Sequence, residues 1–313
     1  MSSLETITVS APGKIHLLGE HAVVYGKPAI LASVDLRVRV TIEPGIDKRG
    51  SSSKLRKVIE PIVKNKLELE KFPQYKLEIE SDLPVGCGLG SSAAVSSAYI
   101  AALLSFLKIK WDKSLVNELA YEAEKVFNGN PSGGDNSTVV YGGRIWFRKE
   151  DSSLKLIQPL SFTIPQKLAK NFVIINTGTP KESTKEMVTL VQDLYEKEPK
   201  IVNKFLENQE KLVRKLLAVI KEANEKELLR IIREGERNLE SIGVASKSSQ
   251  EIIRKIEKAG GGAKICGGGG KTGPTGALLC YHKNKKVVER VAKSYNLPYF
   301  STALGVEGVR KEL

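Results

Sequence analysis

Hydrophobic and polar residues alternate along much of the first eighty positions. The alternation predicts three strands, ETITVS (5–10), AILASVDLRVRVTIE (29–43) and YKLEIES (75–81). Between the second and third of these strands, segment 48–57 is basic and rich in serine, which is typical of a loop. The first part of the chain therefore reads as β-structure joined by turns.

Two helices are predicted after the third strand. One runs over about 91–107 and is rich in alanine and serine, so it can pack closely. The other runs over about 113–127, where apolar residues at helical spacing share one face. The segment GNPSGGDN (129–136) ends the second helix because glycine and proline interrupt helical hydrogen bonding. Two further strands are predicted after it, over 138–147 and 153–160.

A change of pattern near residue 166 predicts a second domain. It opens with a buried strand at 171–178 and continues as a mostly helical region over 181–258. The remainder reads as strand, glycine-rich loop, strand, helix and strand, over AKIC (263–266), the loop, ALLCYH (277–282), KKVVERVAKSY (285–295) and PYFSTAL (298–304). Since strands and helices do not alternate strictly, we predict an α+β fold with domains at 1–165 and 166–313.

Composition and charge narrow the class of protein. Of the 313 residues, 41% are hydrophobic, which indicates a globular chain, and no apolar run reaches the roughly 18 residues that a membrane span needs. The three cysteines form no CxxC pair, so we expect reduced thiols and a cytoplasmic protein. Glutamates are interleaved with the basic residues, so the net charge of +13 favours solvated helix faces over a nucleic-acid surface.

The segment DLPVGCGLGSSAA (82–94) is the first candidate for chemistry. It joins a predicted strand to a predicted helix, and its glycines read GxGxG rather than the GxGxxG of dinucleotide sites. Glycines let backbone N–H groups converge on an anion, and the following helix directs its positive end at the loop. We therefore predict a phosphate-binding loop built on Gly86, Gly88 and Gly90, with hydroxyls from Ser91 and Ser92.

Two other segments carry charged residues suited to phosphoryl transfer. Lys14 lies in a predicted Pro-Gly turn after the first strand, and the pair Glu20-His21 follows it. Glu124 lies near the end of a predicted helix, eleven residues before Asp135. Phosphoryl transfer needs cations and an acidic group that positions the attacking hydroxyl, and a carboxylate can also bind Mg²⁺.

In this order, APGKIHLLGEHAVVYG, PVGCGLGSSAA and a late glycine-rich loop resemble the three motifs of the GHMP kinases, the galacto-, homoserine, mevalonate and phosphomevalonate kinases. The segments GEHAVVYGKPA, NPSGGDN, NTGTPKEST (176–184) and SIGVAS (241–246) are most similar to the branch that phosphorylates mevalonate. The resemblance extends over nearly the whole chain. It implies a two-domain fold, with an N-terminal domain like domain 2 of ribosomal protein S5 and a C-terminal ferredoxin-like α/β sandwich.

The resemblance also implies a reaction, ATP-dependent phosphorylation of mevalonate to 5-phosphomevalonate with Mg²⁺. Asp135 would be the base or orienter and Lys14 would stabilise developing charge, both of them contacting mevalonate. Glu20 and His21 would lie on the acceptor side with Thr184, and Ser92 and Glu124 would bind Mg²⁺. The ATP-binding residues would be Pro84, Val85, Gly86, Cys87, Gly88, Leu89, Gly90, Ser91, Ser92 and Ala93. A homodimer is left open, and no nucleic-acid or membrane partner is expected.

The late loop GGGGKTGPTG (267–276) is the basis of a competing hypothesis, in which the protein is a P-loop NTPase. Gly270-Lys271-Thr272 fits the second half of a Walker A motif, but Ile265 stands where its first glycine belongs and a predicted strand follows the loop instead of a helix. We therefore expect this loop to pack beside the phosphate loop. Two more hypotheses stay open, namely another small-molecule kinase of the same family, such as a phosphomevalonate or homoserine kinase, and a basic nucleic-acid-binding protein.

Overall fold

The structure, a computed structural model, describes residues 5–47, 53–128, 131–151 and 154–312. The strands are β1 (Ile7–Leu18), β2 (Ala29–Pro44), β3 (Tyr75–Ser81), β4 (Arg144–Lys149), β5 (Lys155–Pro159), β6 (Phe172–Asn176), β7 (Gly262–Ile265), β8 (Ala277–Tyr281), β9 (Tyr299–Phe300) and β10 (Arg310–Lys311). A short 3-10 helix spans Ala22–Tyr25. The helices are α1 (Ser53–Leu67), α2 (Ser91–Phe106), α3 (Lys113–Asn128), α4 (Gly134–Tyr141), α5 (Gln166–Ala169), α6 (Thr184–Lys197), α7 (Pro199–Lys221), α8 (Glu225–Ser241), α9 (Lys247–Lys258) and α10 (Lys286–Ser294).

The strands form two sheets, and each sheet is the centre of one lobe. The first sheet has the order β10-β1-β2-β4-β5, with β3 also paired to β2, and all its pairings are antiparallel. The second sheet has the order β7-β8-β6-β9 and is also antiparallel. Strands and helices are mixed without regular alternation, so the predicted α+β class is confirmed.

Helices cover the sheets and supply much of the core. In the first lobe α2 has the largest number of buried residues of any helix, and it packs on β1 and β2 with α3 and α4 beside it. In the second lobe α8 and α9 pack on β7, and α7 lies against α8. Within the described residues, no helix is both long enough and apolar enough to cross a membrane.

Three predictions gave the wrong type or the wrong limits for a secondary-structure element. The predicted loop over 48–57 gives way at Ser53 to α1, because Ile59 and Val63 repeat at helical spacing and are buried in the core; residues 48–52 lie outside the described residues. The predicted turn at Pro12-Gly13 is a register shift inside a β1 that continues to Leu18. The last predicted strand, 298–304, is reduced to the two residues of β9.

A fourth prediction was wrong at 138–147, where a strand was expected and the structure has α4 followed by β4. The run Thr138 to Tyr141 is β-branched or aromatic, which favours strands. The hydroxyl of Ser137 donates to the carbonyl of Gly133 (2.6 Å) and that of Thr138 to Gly134 (2.7 Å), which satisfies these polar groups inside a buried helix. The helix carries Asp135 in its first turn.

The chain returns to the first lobe at its last described strand. β10 pairs with β1, with Ser10 opposite Arg310. The buried guanidinium of Arg37 donates to the carbonyls of Glu307 (2.9 Å) and Gly308 (2.8 Å), which anchors the segment before β10. The first sheet therefore contains strands from both sides of residue 166, and the division at 165/166 stays a prediction.

Candidate active site

The phosphate loop joins β3 to α2 and has the backbone that its glycines allow. Gly86, Gly88 and Gly90 all have positive φ, at 73°, 79° and 73°. Gly90 is the N-cap of α2 and has no side chain with which to cap the helix, so the first-turn N–H groups face the loop. Such a turn at a helix N-terminus is suited to an anion.

The glycine-rich loop after β7 packs directly on the phosphate loop. A Cβ on Gly88 would lie 2.9 Å from the carbonyl oxygen of Cys266, so only glycine fits at this approach. The backbone N–H of Ala277 donates to the carbonyl of Cys87 at 2.8 Å. The loop over 267–276 therefore supports the phosphate loop from the second lobe.

Lys271, the lysine of the Walker-like sequence, is directed elsewhere. Its side chain is exposed and lines a surface groove of about 870 Å³ with Lys185 and Glu186 of α6. The neighbouring Thr272 donates from Oγ1 to the Glu182 carboxylate at 2.7 Å. The strand β8 follows the loop, so the helix that a Walker A site requires does not follow it here.

Lys14 and Asp135 meet beside the phosphate loop. Lys14 Nζ lies 3.0 Å from Asp135 Oδ2, with the lysine side chain 2% exposed and the aspartate 38% exposed. The backbone N–H of Lys14 donates to the carbonyl of Leu89 at 2.9 Å, and a Cβ on Gly90 would lie 2.7 Å from Lys14 Cγ. The carboxylate is thus presented to solvent while the buried lysine holds it next to the loop.

The predicted acceptor-side residues lie at the end of β1 and the start of α6. His21 is buried, and its Nε2 lies 3.0 Å from the carbonyl oxygen of Gly268. Burial lowers the pKa of His21 to about 4, against the opposing effect of the Gly268 carbonyl, so the neutral ring donates this hydrogen bond. Thr184 is exposed and also lies close to Gly268, since a Cβ on that glycine would be 3.3 Å from Thr184 Oγ1.

Glu20 is in a different environment from its neighbour His21. Its carboxylate is completely buried and is paired with Lys264 of β7, whose side chain is also 0% exposed. Burial raises the pKa of Glu20, and the Lys264 ammonium opposes that rise. The place of Glu20 on the acceptor side stays a prediction.

Lys264 and Glu236 were missed in the sequence. Ile265 donates its N–H to Glu236 Oε2 at 2.9 Å, and burial raises the pKa of Glu236 to about 8. The one available signal was the lysine of AKIC, a cation inside an otherwise apolar strand before a glycine-rich loop. A charged residue in such a strand needs a buried partner of opposite charge.

Two predicted Mg²⁺ ligands, Ser92 and Glu124, lie on the neighbouring helices α2 and α3. Ser92 is exposed in the first turn of α2, and Glu124 is 3% exposed on α3. A hydroxyl and a carboxylate are oxygen donors of the kind that Mg²⁺ takes, usually one or two from protein with the rest from water and phosphate. This donor chemistry fits the ion, and the assignment stays a prediction.

Comparison with known proteins agrees with this geometry. The family model for the GHMP kinase N-terminal domain matches residues 53–143. The mevalonate kinase of Archaeoglobus fulgidus is 34% identical over 83% of this chain and 88% of its own length. That of Thermococcus sibiricus is 32% identical over 98% of both chains.

Solved structures show the same fold at lower identity. The Methanococcus jannaschii mevalonate kinase has a TM-score of 0.78 and 21% identity, covering 97% of this chain and 99% of its own. The L. major mevalonate kinase in complex with R-mevalonate also has a TM-score of 0.78, with 22% identity and 94% coverage of both chains. With two lobes of this fold, a glycine-rich loop before α2 and relatives above 30% identity along the chain, the protein belongs to the mevalonate kinase family of the GHMP kinases.

Proposed function

We propose that this protein transfers the γ-phosphoryl group of ATP to the primary alcohol of mevalonate and releases ADP and 5-phosphomevalonate. The observation that carries the proposal is the contact of Lys14 with Asp135 beside the phosphate loop. The family relationship supports the choice of mevalonate as acceptor.

The phosphate loop would hold ATP through its backbone. The N–H groups of residues 86–92 converge where the glycines have positive φ, and α2 directs its positive end to the same place. The hydroxyls of Ser91 and Ser92 stand at this helix end. These contacts favour the charge that accumulates on the phosphate oxygens during transfer.

Asp135 and Lys14 would act on the acceptor hydroxyl. The exposed carboxylate of Asp135 accepts the hydrogen bond of the attacking hydroxyl and takes its proton as the new O–P bond forms and the bond to the leaving ADP oxygen breaks. Lys14, held 3.0 Å away, keeps the carboxylate in place and stabilises negative charge on the attacking oxygen. His21 and Thr184, both close to Gly268, would contact the remainder of the acceptor.

Mg²⁺ would be held by Ser92 and Glu124. When bound, it neutralises charge on the ATP phosphates. The burial of Glu124 keeps its carboxylate in one place relative to the phosphate loop. Removal of divalent ions with a chelator should abolish phosphoryl transfer, and added Mg²⁺ should restore it.

A panel of acceptors tests the function. The purified protein is incubated with ATP and Mg²⁺ and with mevalonate, 5-phosphomevalonate, homoserine or galactose, and ADP release is measured. We expect kcat/KM to be highest for mevalonate. A higher value for one of the other acceptors would assign the protein to a different branch of the GHMP kinases.

A further inference from the structure

Lys264 is the most deeply buried cation near the site, and its ammonium forms hydrogen bonds with residues of both lobes. It belongs to β7 of the second lobe, with its side chain 0% exposed. Its Nζ donates to the Glu20 carboxylate, to the carbonyl of His16 at 3.3 Å and to that of Ile265 at 2.8 Å. The Nζ also lies 3.9 Å from Cys266 Sγ, so acceptors from both lobes surround the three N–H donors of this ammonium.

The two first-lobe acceptors lie at either end of one short segment, residues 16–20. Before it stands Lys14, whose Nζ is 3.4 Å from Nδ1 of His16. After it stands His21, whose φ of 57° is unusual for a residue other than glycine. Lys264 therefore contacts the His16 carbonyl and the Glu20 carboxylate, between Lys14 and His21 in the chain.

The second lobe holds His21 at one further point. The carbonyl of Gly268, four residues after Lys264, lies 3.0 Å from His21 Nε2. One continuous stretch, β7 and the start of its loop, thus contacts the end of β1 and the following turn at both Lys264 and Gly268. A shift of this stretch would change the distance between Lys14 and His21.

We propose that Lys264, paired with Glu20, is a positioning residue that sets the placement of Lys14 and His21 across the lobe boundary. The inference rests on the proposed function, in which these two residues serve phosphoryl transfer and acceptor binding. A buried ion pair costs desolvation that an apolar pair of the same volume avoids, so its presence at this point indicates a need for fixed geometry.

The test separates positioning from stability with one single and one double variant. Lys264→Met leaves the Glu20 carboxylate buried without its cation, so we expect a marked fall in melting temperature and activity. Lys264→Met with Glu20→Met replaces both charges by apolar side chains of similar length, and the melting temperature should recover. We expect kcat of the double variant to remain about 10²-fold below wild type, since small misplacements of catalytic groups cost that much.

A second ion pair across the lobes provides the control. Lys27 Nζ lies 2.8 Å from Glu210 Oε2, and this pair joins the segment before β2 to α7. Lys27→Met with Glu210→Met should leave kcat and the KM values for ATP and mevalonate unchanged. The comparison separates the loss of an inter-lobe ion pair in general from the loss of the Lys264–Glu20 pair.

Histidine NMR reports the placement directly. The chain has three histidines, and His282, whose Nε2 lies 3.0 Å from the carbonyl of Ala259, is the internal reference. In the double variant we expect the ring signals of His16 and His21 to move and those of His282 to stay. This readout needs no substrate, so it tests the inference independently of the reaction.

The outcomes distinguish the inference from the proposed function. Recovery of both melting temperature and kcat in the double variant would overturn the inference, as would a double variant as unstable as Lys264→Met. A lowered kcat with the His21 signal unmoved would also overturn it, because the effect would not pass through position. Wild-type protein without activity on mevalonate would instead refute the proposed function.

Discussion

At the scale of single residues, Asp135 carries the most direct chemical prediction. Asp135→Asn keeps the size of the side chain and removes its negative charge, so the fold should be retained. We expect kcat to fall by about 10²–10⁴-fold, the usual contribution of a positioned acid or base. The measurement is steady-state kinetics together with the melting temperature.

Asp82→Asn is the matched control for this variant. Asp82 also pairs with a basic residue, Arg39 at 3.2 Å, but both side chains are exposed and their contribution to stability is small. Its kinetics should match wild type. A kcat of Asp135→Asn near the wild-type value would remove Asp135 from its assigned role.

For Lys271 we predict that substitution has no effect on ATP binding. Since its exposed side chain lines the groove beside α6, Lys271→Ala should leave the KM for ATP unchanged. Lys14→Met, measured in parallel, should lower kcat strongly. If Lys271→Ala abolishes ATP binding and Lys14→Met does not alter catalysis, the two glycine-rich loops have been assigned in the wrong order.

Residues carried by sequence motifs could be proposed for the site from the sequence, whereas residues whose contacts depend on a distant partner could not. Lys14 and Asp135 were paired through their motifs, and the structure places them 3.0 Å apart. Lys264 and Glu20 are 244 positions apart, and their contact exists only because two lobes meet. No pattern in the sequence around Lys264 or around Glu20 indicates that these two residues form a pair.

At the scale of elements, we expect the phosphate loop to lose stability and activity when a side chain replaces one of its glycine hydrogens. Gly90→Ala places a Cβ at a positive φ and also 2.7 Å from Lys14 Cγ. Positive φ alone costs about 1–2 kcal/mol of stability for a residue with a Cβ. Because Lys14 must also move, we expect kcat to fall by up to about 10²-fold.

Gly143→Ala is the control that measures the cost of the positive φ without the close contact to Lys14. Gly143 has a similar φ of 69°, but no atom of the described residues lies within 4 Å of where its Cβ would be. This variant should lose a comparable amount of stability and keep its kcat. Equal kinetic losses in the two variants would mean that the close approach to Lys14 has no catalytic consequence.

Elements with a clear period were predicted well, and those whose type depends on packing were not. The helix α3 and the strands β2 and β3 begin and end near the predicted positions because their apolar residues repeat regularly. The helix α2 also matches its predicted limits, but it is a nearly continuous run of small and apolar residues that is buried along most of its length. The β-branched run of α4 suggested a strand, but burial beside α2 and α3 favours the helix, in which the Thr138 hydroxyl is satisfied by the Gly134 carbonyl. The intrinsic preference of a residue for helix or strand predicts secondary structure poorly where tertiary contacts determine it.

At the scale of the whole molecule, Glu236 predicts a pH dependence of stability. Its folded pKa of about 8 is raised first by burial and by nearby Glu240 and Glu20, and is opposed by Ile265 N–H and Lys264. Between the unfolded value of 4.5 and about 8 the folded state binds the additional proton, so stability decreases as pH rises. The slope for this one group is at most about 1.4 kcal/mol per pH unit.

Glu236→Gln should remove that slope. The amide oxygen can still accept from Ile265, so the hydrogen bond of 2.9 Å is kept while ionisation is abolished. In denaturant unfolding from pH 5 to 9, the free energy of unfolding of the variant should exceed that of wild type by a margin that grows up to about pH 8. Parallel curves for the two proteins would show that Glu236 is already ionised in the folded state.

The pairing of β10 with β1 has a consequence for the order in which the chain acquires structure during synthesis. β1 is synthesised before β2 to β9, and β10 is synthesised after them, so one edge of β1 stays unpaired until β10 has been made. Over that interval the exposed edge can pair with another nascent chain. A ribosome-associated chaperone that shields this edge should therefore raise the yield of folded protein more than one that acts after release.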